Sequence, residues 1–214
     1  MKHFNKLTKT FKEPQVILVR HGHTDLNNTD KSEDRIRGHI DVPLNAEGIK
    51  DAERASSELK KEAVDGFFCS DLIRAKQTAE VLIKDFPKAP IIYSNTLRPW
   101  NLGIYQGQKT EDVIEDLNTM VKRENIVPTD GESFKSFRTR YLGELIKIIN
   151  LAIKKKEILV VVTHFRNLKT ADAWISAGAK PDMSIDHDVM ITDKFAPGEL
   201  FYLPLDKVKS DIIK

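Results

Sequence analysis

Two uninterrupted apolar runs constrain this chain more than anything else in it. Val16-Ile17-Leu18-Val19 leads into Arg20-His21-Gly22, and Ile158-Leu159-Val160-Val161-Val162 leads into Thr163-His164. Both runs are rich in β-branched residues and of strand length, which suits strands buried on both faces. Such strands belong to parallel sheets covered by helices on either side. Open sheets of that kind deliver side chains to the crevice at their carboxyl ends. An imidazole therefore stands at the end of each run, and the first has a permanent cation beside it.

The rest of the chain alternates in the same way. Phe67 to Cys69 and Ile91 to Tyr93 are shorter strand candidates. Asn45 caps a predicted helix with Ile49, Ala52, Ala55 and Leu59 on one stripe. Ser70 is placed to cap a second, with Leu72, Ala75, Ala79 and Leu82 inward. A third begins near Ser133 and buries Phe134, Phe137, Tyr141, Leu145, Ile148 and Ala152. Pro99, Pro128, Pro181 and Pro197 punctuate loops or element ends. Strands alternating with helices predict an α/β fold, a mostly parallel central sheet flanked by helices on both faces. The stretches 22–43 and 96–123 are expected to arch over the strand ends as substrate-side loops.

Composition narrows the function. The chain has 214 residues, enough for one large domain at 15–214 behind a polar, Lys-rich extension at 1–14. With 34 basic and 32 acidic residues, nothing favours a nucleic-acid or membrane-surface partner. No apolar run is long enough to span a bilayer, and the first residues lack the apolar core of a secretory signal. The lone Cys69 forbids an internal disulfide and fits a reducing, cytoplasmic setting. Its place after Phe67-Phe68 makes a buried, inert thiol the default.

The chemistry-bearing residues favour an anion. Arg20, and Arg74 at a second strand-to-helix junction, suit bidentate contact with phosphate or carboxylate. His21 and His164 carry the only side chains there able to act as nucleophile or proton carrier near neutral pH. A phosphate at the start of the helix after Ser70 would also meet free N–H groups there. His21 and His23 make a poor metal pair, with no carboxylate or Cys trio at ligand spacing.

Taken together, these segments resemble the histidine phosphatase superfamily, the phosphoglycerate mutase-like enzymes, over about residues 15–203. Arg20-His21-Gly22 matches the family signature, with Thr24 and Asn27 where it has a hydroxyl residue and a phosphate-contacting Asn. Gly38, Asp41, Pro43, Leu44 and Gly48 resemble its G-x-x-D-x-P-L stretch and the helix after it. Ser70 through Ala79 resembles its S-x-x-x-R-A-x-Q-T-A helix start. Leu97-Arg98 with Gly103 and Gly107, Gly131-Glu132-Ser133, and Thr163-His164 complete the order. The resemblance implies a three-layer phosphoglycerate mutase-like fold, no metal or other cofactor, and a small phosphorylated substrate. It also implies catalysis by His21, Arg20, Arg74 and His164 through a phospho-histidine at His21, with Thr24, Asn27, Arg37 and Glu132 on the substrate side.

Two departures stand out. Where the family's L-R-E block places a catalytic Glu, this chain has Leu97-Arg98-Pro99, and Pro99 cannot protonate a leaving alkoxide. Glu132, Asp25 and His23 are possible substitutes. After His164, Phe165-Arg166 replaces a small pair, so Phe165 is expected to narrow the pocket and Arg166 either to add a contact or to face solvent. Simpler readings stand beside several residues. Thr24 and Asn27 suit a turn, Arg37 a solvated loop, and Glu132 the first turn of a helix. Trp100, Tyr105 and Trp174 suit either a pocket wall or the core. The leading expectation is a metal-independent phosphatase. The alternatives are a catalytically impaired module that binds phospho-ligands or a protein, and a phosphosugar or phosphoglycerate mutase.

Overall fold

The computed structural model describes residues 13–27, 33–191 and 195–208. Nearly all of the expected 1–14 extension lies outside them. Five strands form one sheet: β1 (Gln15–Arg20), β2 (Gly66–Ser70), β3 (Ile91–Ser94), β4 (Ile158–Thr163) and β5 (Leu200–Tyr202). Their order is β3-β2-β4-β1-β5. The β1–β4, β2–β4 and β2–β3 pairs are parallel, and β5 runs antiparallel to β1 at one edge. In register, Arg20 pairs with Thr163, so the two apolar runs end side by side.

Period-two alternation along these strands divides the interior into two layers. Ile17, Val19, Val160 and Val162 pack with Ala55 and Leu59 of α1 (Ala46–Leu59) and with Ala75, Ala79 and Leu82 of α2 (Ile73–Leu82). Val16, Leu18, Leu159 and Val161 face the other way. There they meet α3 (Thr110–Lys122), α4 (Phe134–Lys155) and α5 (Phe165–Ser176). A one-turn helix, α6 (His187–Met190), follows. The expected three-layer α/β architecture is present.

Local chemistry explains most element ends. Asn45 accepts from the Gly48 N–H, so that expected cap forms, and Ser133, near the expected start of the third helix, accepts from the Ser136 N–H. Helix α4 stops where Lys156 turns left-handed at φ 56° and returns its N–H to Ala152 and Ile153. Trp100 stacks into the ladder Phe134, Phe137 and Tyr141 along α4, which fixes the loop that carries Pro99.

Two expectations need correction, and one strand has no counterpart among them. Ser70 is the last residue of β2 and does not cap α2; the helix starts at Ile73, after Leu72, which makes no side-chain cap. The loop expected through residue 123 becomes helical at Thr110, because Val113, Leu117, Met120 and Val121 form a one-sided stripe that docks on the core. The edge strand β5 is only three residues long, too short for a periodic signal.

Candidate active site

His21 follows directly on β1, and its N–H extends the ladder to Thr163 O at 3.0 Å. Its ring is oriented at both nitrogens. Nδ1 lies 2.7 Å from Gly22 O, and a carbonyl only accepts, so Nδ1 carries the proton. Arg74 Nε donates to Nε2 over 3.3 Å, so Nε2 carries the lone pair. Burial, then Arg74 and Arg20, hold the His21 pKa well below the usual histidine value. The ring is neutral at pH 7 with a directed lone pair. Behind it Gly22 backs onto helix α1, where a Cβ would lie 2.2 Å from Gly48 O. Only glycine permits that approach.

Arg74 is almost fully buried and donates to Gly38 O at 2.8 Å and Ile40 O at 2.7 Å. The same 38–45 loop closes on α2 at two more points. Asp41 Oδ1 accepts from the Ile73 N–H at 2.6 Å, and Gln77 Oε1 accepts from the Leu44 N–H at 2.7 Å. Asp41 therefore caps α2 from another segment. The Ile73 N–H is thus already taken by a carboxylate.

Ser70 has a different task. Its Oγ lies 2.8 Å from His164 Nε2. The His164 ring meets His21 edge-on, centroids 5.1 Å apart, and burial, then Arg74, holds its pKa well below the usual value. Arg20 donates to Phe195 O at 2.6 Å and lies over the Phe165 ring at 4.9 Å. The bulky residue after His164 thus braces the cation of the first motif. Burial, then the charge of Arg37, lowers Arg20 and Arg74 to about 9, which leaves both cationic at pH 7. Arg20 Nε and His164 Nδ1 are buried with no hydrogen-bond partner. An orphaned guanidinium N–H beside an orphaned imidazole nitrogen suits an anion.

These groups line one cavity of about 750 Å³. Arg20, His21, Arg74 and His164 meet there, together with Asn27, Arg37, Phe165, Arg166 and Pro99. Thr24 and Glu132 do not line it. Thr24 is fully buried and donates to Asn27 Oδ1 at 2.9 Å, shaping the turn that presents Asn27. Arg37 is held by Asp34 Oδ1 and Leu26 O, both at 2.9 Å. Glu132 is bound by Arg140 Nη2 at 2.6 Å and by the Asn101 N–H at 3.0 Å. Asp25, the second substitute acid considered from sequence, also lies outside the lining, whereas His23, the third, is part of it.

Sequence reasoning missed Phe195 and the Asp34–Arg37 pair. Phe195 offers its carbonyl to Arg20, at a left-handed φ of 70°, and no side-chain pattern marks that. Trp100 is both wall and core, fully buried yet lining the cavity, whereas Trp174 belongs to the core. Cys69 is buried and its thiol pKa is pushed up by burial, as expected of an inert residue. Among the described residues no group of three or more His, Cys, Asp or Glu stands at metal-binding distance, and no helix is long and apolar enough to cross a membrane.

Fold and site together define a three-layer α/β protein with paired histidines and arginines in a cation-lined pocket at its strand ends. The chain belongs to the histidine phosphatase superfamily, branch 1, whose family model matches residues 16–187. It is 32% identical to phosphoglycerate mutase-like protein 4 of Arabidopsis thaliana over 157 residues, 70% of this chain and 66% of that protein. It is 33% identical over 146 residues to the uncharacterized phosphatase PhoE of Bacillus subtilis, 68% of this chain and 69% of that one. The match therefore spans just under two thirds of the Arabidopsis protein's length. In fold it is similar to a mycobacterial glucosyl-3-phosphoglycerate phosphatase, with a TM-score of 0.71 and 20% identity over 88% of this chain and 92% of that one.

Proposed function

We propose that this chain is a phosphatase that hydrolyses a small phosphorylated substrate through a phospho-histidine at His21, without a metal ion. The observation that carries the reading is the tautomer of His21: its Nδ1 proton is held by Gly22 O, which leaves the Nε2 lone pair among buried guanidinium groups. A phosphate monoester brings about two negative charges, and Arg20 and Arg74 balance them in fork geometry. That charge is the part a metal plays in other phosphoryl-transfer sites.

In the first step Nε2 attacks phosphorus, the N–P bond forms, and the P–O bond to the leaving group breaks. His164 donates from Nδ1 to a phosphoryl oxygen, stabilising the charge that spreads in the transition state. With the ring neutral, this requires the Ser70 hydroxyl to donate to Nε2, so Ser70 sets the tautomer. Asn27, its oxygen engaged by Thr24, has its amide nitrogen left to donate to the phosphate. Water then attacks the phosphoryl group, and inorganic phosphate leaves a neutral His21. The names of the two relatives and of the structural neighbour support phosphoester chemistry, and the cavity suits a metabolite-sized substrate. The buried lone cysteine fits a reducing, cytoplasmic setting.

The test is 4-nitrophenyl phosphate turnover in EDTA, with a ³²P-labelled substrate quenched in alkali. The expected result is turnover plus a base-stable, acid-labile label, both absent in His21→Ala. Turnover that persists in His21→Ala, or that stops in EDTA, would overturn the mechanism. Phosphate binding with no turnover of any ester would make the chain a binding module.

A further inference from the structure

Pro99 lines the cavity where the family resemblance places a catalytic Glu, and its ring has no proton to give. The cavity's own acids are few. Asp34 accepts from Arg37 through Oδ1 and from the Thr110 hydroxyl through Oδ2. Glu111 lies on the exposed rim, in the first turn of α3. His23 is different. It lines the same cavity two residues after the nucleophile, and its Nδ1 lies 2.6 Å from Asp51 Oδ2. The same oxygen accepts the His23 backbone N–H at 2.9 Å, so the ring is tied at two points to α1. Asp51 is buried, and its other oxygen is held by Arg54 Nη2 at 2.8 Å.

We infer that the His23–Asp51 pair supplies the proton that the missing Glu would give, with His23 as the leaving-group acid and Asp51 as its positioning residue. This rests on the phospho-His21 reading above. A carboxylate only accepts, so the Nδ1 proton stays toward Asp51 and the exchangeable proton of the imidazolium is on Nε2. As His21 attacks phosphorus and the P–O bond breaks, Nε2–H of His23 passes to the departing oxygen and an alcohol leaves. In the second step the Nε2 lone pair takes a proton from the attacking water, which restores the imidazolium. Proton count and charge balance over the cycle.

Charged groups surround the ring. Asp51 and Glu47 face it from α1, the latter with Oε1 3.8 Å from Nδ1. Arg54 and, more distantly, Arg20 act on Asp51 and oppose them. Burial works to raise the Asp51 carboxyl, but hydrogen bonds from His23 and Arg54 outweigh it and keep the carboxyl below its ordinary range. The carboxylate is therefore present throughout the pH range in which histidine titrates.

Two esters separate this role from a structural one: benzyl phosphate, whose alkoxide needs a proton to leave, and 4-nitrophenyl phosphate, whose phenolate does not. The readout is the single-turnover release of alcohol or phenol. His23→Gln is expected to slow benzyl alcohol release by about 10²- to 10⁴-fold. Release of 4-nitrophenol should change far less. Added imidazole should restore benzyl release in His23→Gly. Asp51→Asn, which loosens the ring's two ties to α1, should slow benzyl release selectively and leave 4-nitrophenol release nearly unchanged.

Equal losses on both esters, no loss on either, or a benzyl defect in Glu111→Gln in its place would overturn the assignment. So would a wild type that turns over 4-nitrophenyl phosphate but never benzyl phosphate. Retained 4-nitrophenol release in His21→Ala is a separate outcome, and it overturns the nucleophile assignment itself.

Discussion

Arg74 Nε donates to His21 Nε2 over 3.3 Å, so the cation placed to bind phosphate also orients the lone pair placed to attack it. Its Nη1 and Nη2 also donate, one N–H each, to Ile40 O and Gly38 O, which leaves two of its five N–H groups for phosphate. A single guanidinium thus joins β1, α2 and the 38–45 loop. Lysine cannot reproduce three directed contacts from one planar fork. Arg74→Lys is therefore expected to cost about 10²- to 10³-fold in kcat/KM on 4-nitrophenyl phosphate, close to the effect of losing one transition-state donor. Steady-state kinetics check this, and a loss under threefold would remove Arg74 from the phosphate site.

Asp41 gives a second prediction, because its carboxylate caps a helix to which it does not belong. Leu72 makes no side-chain cap of its own. Asp41→Ala should cost about 1 kcal/mol of stability. For a chain of this size that lowers Tm by about 2–4 °C. It should also loosen the loop whose carbonyls orient Arg74, so kcat/KM should fall on the order of tenfold or more. Asp41→Asn, which keeps an acceptor oxygen, should recover most of both. A variant with unchanged Tm and activity would mean that the cap carries no weight.

How far these relationships could be read from sequence depends on what carries them. The strands β1 and β4, the caps Asn45 and Ser133, and the meeting of Arg20, His21, Arg74 and His164 all rest on local patterns. Each is a short run with a residue type at its end. The roles of Asp41, Ser70 and Asp51 rest on contacts between segments 28 to 94 residues apart, and no periodicity encodes those. Helix α3 is the intermediate case. Its stripe is written in the chain and Glu111 and Asp112 suit its first turn, but Lys109 at its N-cap offers no side-chain cap, so its first residue carries little signal. Phe165 reads as an intruder in the pocket until its ring is seen against Arg20.

Glu132 belongs to a clamp on the Pro99 loop. Arg140 binds its carboxylate and also donates to Thr96 O at 2.9 Å, Arg98 O at 3.1 Å and Pro99 O at 3.2 Å. Both side chains are about one quarter exposed, 24% and 21%, so solvent screens the pair. Glu132→Gln should then cost roughly 1 kcal/mol, with Gln still able to accept from the Asn101 N–H. Its effect on benzyl and 4-nitrophenyl phosphate should be the same within a factor of about three, since no leaving-group proton is lost. A selective loss on benzyl phosphate would return Glu132 to the role of acid.

The buried histidines predict how stability follows pH. Burial first, then Arg74, holds both His21 and His164 well below the ordinary value of 6.5, and burial lowers His39 as well. Below 6.5 the unfolded chain takes up protons on these rings while the folded chain does not. Folding stability is therefore complete above about pH 7 and falls as pH drops below 6.5. Each histidine contributes up to about 1.4 kcal/mol per pH unit inside that window. The lowered carboxyls Asp51 and Asp71 act in the same direction, but only near and below the usual Asp range. Urea unfolding between pH 5.5 and 7.5 thus isolates the histidines. His21→Gln should give a shallower slope than wild type, because one titrating ring has been removed. A flat wild-type profile would mean that the rings protonate inside the folded site, and a protonated His21 has no lone pair with which to attack phosphorus.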